Sequence, residues 1–215
     1  MREGPYGPLR EFFDRAAAHW DECVTVKPDF LARVVEVACL RPGDSVLDVG
    51  CGTGVLLPHL LDRVGEKGRV YALDISPLML ERARARCPRA VCLCAPAEAI
   101  PLPAGSCRAV VCYSAFPHFP DQGRALAEMA RVLAPGGRVV VAHAESRQAI
   151  NDLHRRLGGP VAHHLLPDEA TMGRLVARAG LRVISFSDGP GGYLLVAGHR
   201  AGGGTATASR GATRG

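Results

Sequence analysis

The feature that most constrains this chain is an apolar run ending in closely spaced glycines, Val46-Leu47-Asp48-Val49-Gly50-Cys51-Gly52-Thr53-Gly54. Ser45–Val49 reads as a buried β-strand, and apolar residues at helical spacing resume at Val55. Between them, glycine lets the backbone turn sharply and lets a ligand approach closely, because no Cβ intervenes. Ligands of open α/β sheets bind beyond the carboxyl ends of the strands, where this turn lies.

The rest of the chain repeats the strand-then-helix alternation. Further strands are predicted at Arg69–Leu73, Ala90–Leu93, Ala109–Tyr113 and Val139–His143, with helices at Val55–Val64, Pro77–Arg86 and Asp121–Leu133. Such alternation implies a parallel sheet with crossover helices, a Rossmann-like doubly wound α/β fold with helices on both faces. Pro135-Gly136-Gly137 is expected to stop the third of these helices just before its strand. Two last strands, Arg182–Phe186 and Tyr193–Gly198, are joined by the short turn-forming link from Ser187 to Gly192. That link predicts an antiparallel hairpin at the C-terminal end of the sheet. Two helical stretches, Leu9–Trp20 and Pro28–Leu40, come before the first strand. The expected organisation is a single domain over 1–200, with capping helices within 1–44. From 201 to 215 no apolar period exists, so a disordered tail is expected.

Composition narrows the partners. The formal charge of +5 is carried by scattered arginines, lysine being confined to Lys27 and Lys67. No interleaved basic and aromatic surface of the kind that binds single strands is visible, so no nucleic-acid partner is expected. No apolar run approaches the ~20 residues that span a bilayer, and none is expected to act at a membrane. Met1 to Leu9 lacks the basic-then-apolar pattern of a secretory signal, and the expected location is cytoplasmic. The eight cysteines are then reduced thiols. Cys39 and Cys112 read as small core residues, and Cys92 and Cys94 share one face of a strand. No paired C-x-x-C announces a structural zinc, and no metal ligand is assigned.

The glycine spacing separates two cofactor classes. Dinucleotide enzymes carry G-x-G-x-x-G and aim a helix N-terminus at a pyrophosphate. Here the pattern is G-x-G-x-G, so the third glycine arrives one residue early, and an acid, Asp48, precedes it. The next strand ends at Asp74, within Val70-Tyr71-Ala72-Leu73-Asp74-Ile75-Ser76. A carboxylate there can accept hydrogen bonds from both hydroxyls of a ribose. Glycine loop and acid together suit an adenosine ligand without a phosphate.

On these residues the chain resembles the class I S-adenosylmethionine-dependent methyltransferases, in the broad group containing the ubiquinone/menaquinone C-methyltransferases. The likeness is good over residues 9–145 and loose beyond. It implies S-adenosylmethionine as cofactor, with Asp48, Gly50, Gly52 and Gly54 around its methionine part. It also implies Asp74 on the ribose and Ile75 against the adenine. Ala97-Glu98-Ala99-Ile100-Pro101-Leu102-Pro103 matches the family's segment after the third strand, which places Ala97 and Glu98 at the cofactor. Tyr113-Ser114-Ala115-Phe116-Pro117-His118-Phe119 matches the stretch facing cofactor and substrate. Arg131 to Arg138 resembles the lead into strand five. Phe12-Phe13-Asp14-Arg15-Ala16, with Trp20 and Asp21, resembles the helix that caps the cofactor. Two departures stand out. Pro96 occupies the position where relatives often carry an acid for the adenine amino group, and Arg108 stands where many have an acid.

Methyl transfer from a sulfonium is an in-line displacement, so positioning and exclusion of water can supply much of the catalysis. An acceptor that carries a proton also needs a base. His118 and His143, both at carboxyl ends of strands, are the candidate catalytic bases, against the alternative of packed or loop histidines. Glu145, Asn151 and His154 are expected to form a polar acceptor pocket if 147–157 is helical, with Arg147 holding an anionic group. His143, Glu145, His154, His163 and His164 offer a metal-binding alternative, without the H-E-x-x-H spacing. The function expected is methylation of a small-molecule acceptor. Its competitors are a non-catalytic S-adenosylmethionine-binding regulator and a thiol-dependent metalloid methyltransferase, with only Cys51 and Cys112 placed to serve the latter. The oligomeric state is open.

Overall fold

A computed structural model of the chain describes residues 6–23 and 26–199, so the expected tail at 201–215 lies outside the described residues. Seven strands form one sheet: β1 Ser45–Val49, β2 Arg69–Asp74, β3 Val91–Cys94, β4 Cys107–Tyr113, β5 Leu133–His143, β6 Leu181–Gly189 and β7 Gly192–His199. Their order is β3-β2-β1-β4-β5-β7-β6. β1 to β5 pair in parallel, while β7 runs antiparallel to both β5 and β6. This is the mostly parallel, doubly wound sheet with the expected C-terminal hairpin. Strand order reverses between β1 and β4, so a crevice opens beyond Val49 and Tyr113.

The helices are α1 Gly7–Ala16, α2 Trp20–Cys23, α3 Pro28–Val37, α4 Leu57–Val64, α5 Pro77–Arg86, α6 Gln122–Val132, α7 Arg147–Leu157 and α8 Glu169–Arg178. Side chains alternate across each strand and build two apolar layers. Val46, Val70, Val111 and Val140 meet Leu31, Val34, Leu57 and Leu60 on one face. Leu47, Val49, Val110 and Val141 meet Leu126, Met129, Met172 and Val176 on the other. Each fully buried side chain of this size contributes roughly 1.5–3 kcal/mol. Four helices open on a side-chain cap: Ser76 accepts from the Met79 amide, Asp121 from Arg124, Ser146 from Ala149 and Asp168 from Thr171.

Several boundaries differ from expectation, each for a local reason. α4 starts at Leu57 rather than Val55, because turns occupy residues 52–56. The stretch Leu9–Trp20 is not one helix: α1 gives way to a 3-10 turn, Ala17–His19, before α2. α3 stops three residues short of Leu40, and Cys39 at φ 51° is exposed rather than in the core. α6 ends at Val132, ahead of the Pro-Gly-Gly segment, which is absorbed into a long β5. A register shift against β4 takes up the irregularity: Leu133 pairs with Cys107, then Arg138 with Ala109. α8 had no counterpart in the sequence reading. Among the described residues no helix is long and apolar enough to cross a membrane.

Candidate functional site

The turn after β1 is built from three glycines with left-handed backbone, Gly50 (φ 71°), Gly52 (φ 53°) and Gly54 (φ 84°). A Cβ on Gly50 would stand 2.3 Å from Cβ of Ala115, and one on Gly54 2.8 Å from Leu57 Cδ1. These two glycines are demanded by packing. A Cβ on Gly52 would meet only Trp20 Nε1, at 3.7 Å, so this glycine leaves open the approach from the cavity. The loop is fastened to the end of β2. The Gly50 and Cys51 amides donate to Leu73 O, and the Gly52 amide donates to Asp74 Oδ2 at 2.9 Å. Asp74 Oδ1 accepts from the Ser76 amide at 2.9 Å. Burial raises the Asp74 carboxyl pKa, against the lowering effect of the Ser76, Gly52 and Ile75 amides.

Asp48 is 1% exposed, and its Oδ1 has no hydrogen-bond partner among the described residues. Burial, with the Asp74 charge nearby, pushes its pKa up to about 8. Asp48, Asp74 and the glycines of the loop's inner edge line a cavity of about 430 Å³. Ile75, Pro96, Ala97, Glu98 and Tyr113 also line it, so each expected cofactor residue except Gly54 is at the wall. Gly54 acts one step behind, by letting the turn pack on Ala83 of α5. Glu98 is buried and already committed: its Oε1 accepts from the Asp121 amide at 3.1 Å. It therefore braces the wall at the start of α6.

The cavity is roofed by α1 and α2 through Phe12, Phe13 and Trp20. Phe13 packs edge-on against Trp20 and, on its other side, His118, with centroids 5.6 and 5.2 Å away. The roof is tied down at its ends by contacts that the sequence does not reveal. Asp14 accepts from Ser76 Oγ, and Asp21 accepts from Thr53 Oγ1 and from Arg86. Arg82 donates to Ala18 O at 2.8 Å.

At the far end, His118, His143 and His154 reach the cavity together. His118 is half-buried because it lines the cavity. It sits deep enough, though, that loss of hydration holds its pKa well below the usual value, with His154, His164 and His143 adding to the effect. His143 is 2% exposed, its Nε2 has no partner, and burial pushes its pKa down to about 3, with a smaller contribution from His154. His118 Nδ1 lies 3.1 Å from His164 Nδ1. His154 Nδ1 hydrogen-bonds the His164 carbonyl oxygen, which can only accept, so that nitrogen carries hydrogen.

Three expectations for this end need correction. Asn151 does not line the cavity: its amide is spent on the Leu166 backbone, donating to O and accepting from N. Arg147 is paired with Asp188, Nε to Oδ2 at 3.5 Å, and is not aimed at an anion in the cavity. Glu145 lines the cavity mouth but is exposed and paired with Lys27. Among the described residues no three His, Cys, Asp or Glu side chains are arranged to hold a metal ion. Of the described cysteines only Cys51 lines the cavity, and burial raises its thiol pKa, as it does for Cys112. Among the described residues thiols do not converge on the acceptor end as a metalloid acceptor would need.

The residues fit the S-adenosylmethionine that the sequence implies. A buried carboxylate oxygen without a partner suits a cationic donor, Asp74 keeps lone pairs for ribose hydroxyls, and Ile75 with Pro96 offers an apolar slot.

Comparison with known proteins agrees. Residues 47–141 match the methyltransferase domain family. The chain is 33% identical over 181 residues to a malonyl-[acyl-carrier protein] O-methyltransferase of Halorhodospira halophila, covering 80% of this chain and 60% of that one. It is 34% identical over 145 residues to a ubiquinone/menaquinone biosynthesis C-methyltransferase of Bordetella parapertussis, covering 62% and 55%. It thus spans little more than half the length of these relatives. A solved S-adenosylmethionine-dependent methyltransferase from Aquifex aeolicus superposes with a TM-score of 0.65 at 25% identity, over 84% of this chain and 97% of that one.

Proposed function

The chain carries a class I S-adenosylmethionine-dependent methyltransferase domain, and from that premise we propose that it methylates a small, uncharged and largely apolar acceptor. The observation that carries the reading is one cavity with Asp48, buried and with an unpartnered oxygen, at the glycine end and His118 and His143, both kept neutral by burial, at the other. Bound S-adenosylmethionine supplies a methyl group on a positively charged sulfur. Asp48, ionised beside the ligand's positive charge, balances it. Asp74 orients the ribose, and the Phe13–Trp20 roof keeps water from the transfer. His118, with His143 beside it, takes the acceptor's proton.

The acceptor class follows from charge. Neither lysine nor arginine is among the described residues lining the cavity, so a carboxylate or phosphate would lose hydration with no cation to replace it. The name of the Halorhodospira relative points to an anionic acyl acceptor on a carrier protein, which would meet this wall poorly.

Titration calorimetry with S-adenosylhomocysteine, with NAD as control, tests the cofactor reading. Micromolar binding, absent for NAD and lost in Asp74→Ala, is expected. A folded protein that fails to bind S-adenosylhomocysteine overturns it.

A further inference from the structure

Methyl transfer to an acceptor X–H forms the X–CH3 bond and breaks the S–CH3 bond, with both electrons of the latter going to sulfur. The X–H proton must also leave, and the largely apolar cavity wall offers it few polar groups. A single buried base would be left holding a charge that its surroundings oppose. The structure offers a way out. His118 lies on the cavity wall, whereas His164, from the segment between α7 and α8, stands behind it and is half-buried. The two Nδ1 atoms are 3.1 Å apart, so one of them carries hydrogen and the other accepts it. No other side-chain hydrogen bond is made by His118 among the described residues, which leaves its Nε2 for the acceptor.

We propose that His118 and His164 form a proton-exit pair: His118 accepts the acceptor's proton at Nε2 and passes its own Nδ1 hydrogen to Nδ1 of His164, which releases a proton from Nε2 to solvent. This rests on the methyltransferase reading above. The balance is one proton into the pair and one out, with no oxidant or reductant, and both rings end neutral. His164 is held for the task from behind, because the short hydrogen bond from His154 Nδ1 to its carbonyl fixes its backbone. The groups facing the pair are all histidines: His154 from α7, His143 from β5 and the neighbouring His163, with Phe13 covering His118 from α1. Among the described residues no carboxylate faces either ring to trap the proton as an imidazolium, and burial lowers both pKa values.

The test needs no identified acceptor. Protein with isotopically labelled histidine nitrogens, free and saturated with S-adenosylhomocysteine, is examined by long-range proton–nitrogen correlation near neutral pH. Expected is His118 with hydrogen on Nδ1 and a bare Nε2. His164→Phe removes the acceptor and should move the His118 hydrogen to Nε2. His164→Gln, which restores an acceptor oxygen, should return it to Nδ1. A wild-type His118 protonated at Nε2 overturns the proposal whether or not either variant folds, and so does a tautomer unmoved by His164→Phe. The failures are separable. If S-adenosylhomocysteine shifts the spectrum but the tautomer is wrong, the pair fails while the methyltransferase reading stands. If the tautomer is right but S-adenosylhomocysteine does not bind, the methyltransferase reading fails, and the pair's role in methyl transfer goes with it.

Discussion

The two ends of the cavity solve the same electrostatic problem with opposite chemistry. At the glycine end burial acts on carboxyls and raises their pKa, leaving Asp48 near 8. At the histidine end it acts on imidazoles and lowers theirs, leaving His143 near 3. For Asp48 and His143 the neutral form wins in the ligand-free protein near neutral pH, because a charge without water or a partner is expensive. The difference lies in what a ligand changes. A cation arriving at the glycine end restores the charge on Asp48, whereas the histidine end remains neutral and basic. On the proposed function, one end holds positive charge and the other removes a proton.

The sharpest way to break this division is to remove the base and leave the binding end alone. His118→Gln is expected to slow methyl transfer by about 10²–10⁴, with any acceptor that supports turnover, while S-adenosylhomocysteine affinity measured by calorimetry stays within a factor of about two. Loss of both together would mean that the ends are not separate. Next in size is Asp74→Ala. On the proposed role it takes away two charge-assisted hydrogen bonds to a ribose, together with the brace on the Gly52 amide, and affinity should fall at least ~100-fold.

A smaller effect sharpens the charge argument. The ligand's amino group favours ionised Asp48, so below pH ~8 binding must first remove a proton, and affinity should drop by up to about tenfold per pH unit. Asp48→Asn should flatten that slope. Stability gives the same comparison without ligand. Asp48, its folded pKa raised above the unfolded value, stabilises the fold at low pH and loses that contribution as pH rises from ~4 to ~8. The depressed histidines act the other way. Unfolded histidine takes up protons below pH ~6.5 while the folded rings do not, so each costs about 1.4 kcal/mol per unit of further acidification. Melting temperature should therefore peak at about pH 6.5–7, and Asp48→Asn should remove the fall above the peak and steepen the rise below it. A peak far from there would show that other groups dominate. The smallest effect belongs to the roof: Asp21→Asn, which weakens the ties to Thr53 and Arg86, should lower S-adenosylhomocysteine affinity only a few-fold.

Both ends were legible in the sequence to different depths. Asp48, Gly50, Gly52 and Asp74 were readable because strand end, glycine turn and acid are local features, and the turn geometry demands them at fixed spacing. Ala97 and Glu98 were reachable only by resemblance, and Glu98 proves to brace the wall through Asp121. At the histidine end, His118 and His143 were visible as strand-end residues, but their partners were not. His164 comes from 46 residues beyond His118, and only the packing of α7 and its following segment brings the two together. Asn151 and Arg147 misled because a polar side chain in sequence carries no mark of the group it is already bonded to. The Asp14 and Asp21 ties spanning more than 30 residues escaped for the same reason.

What the sequence determined by itself is the sheet, its parallel order up to β5, the closing hairpin and the glycine end of the cavity. Each of these is written in a period of two or of about 3.6 residues, or in a turn that only glycine can make. What only the tertiary structure decided is the state of the titratable groups: which carboxylate is left without a partner, which imidazoles are neutral, and which histidine backs which. Those depend on burial and on distances between segments far apart in the chain, and no local pattern encodes them.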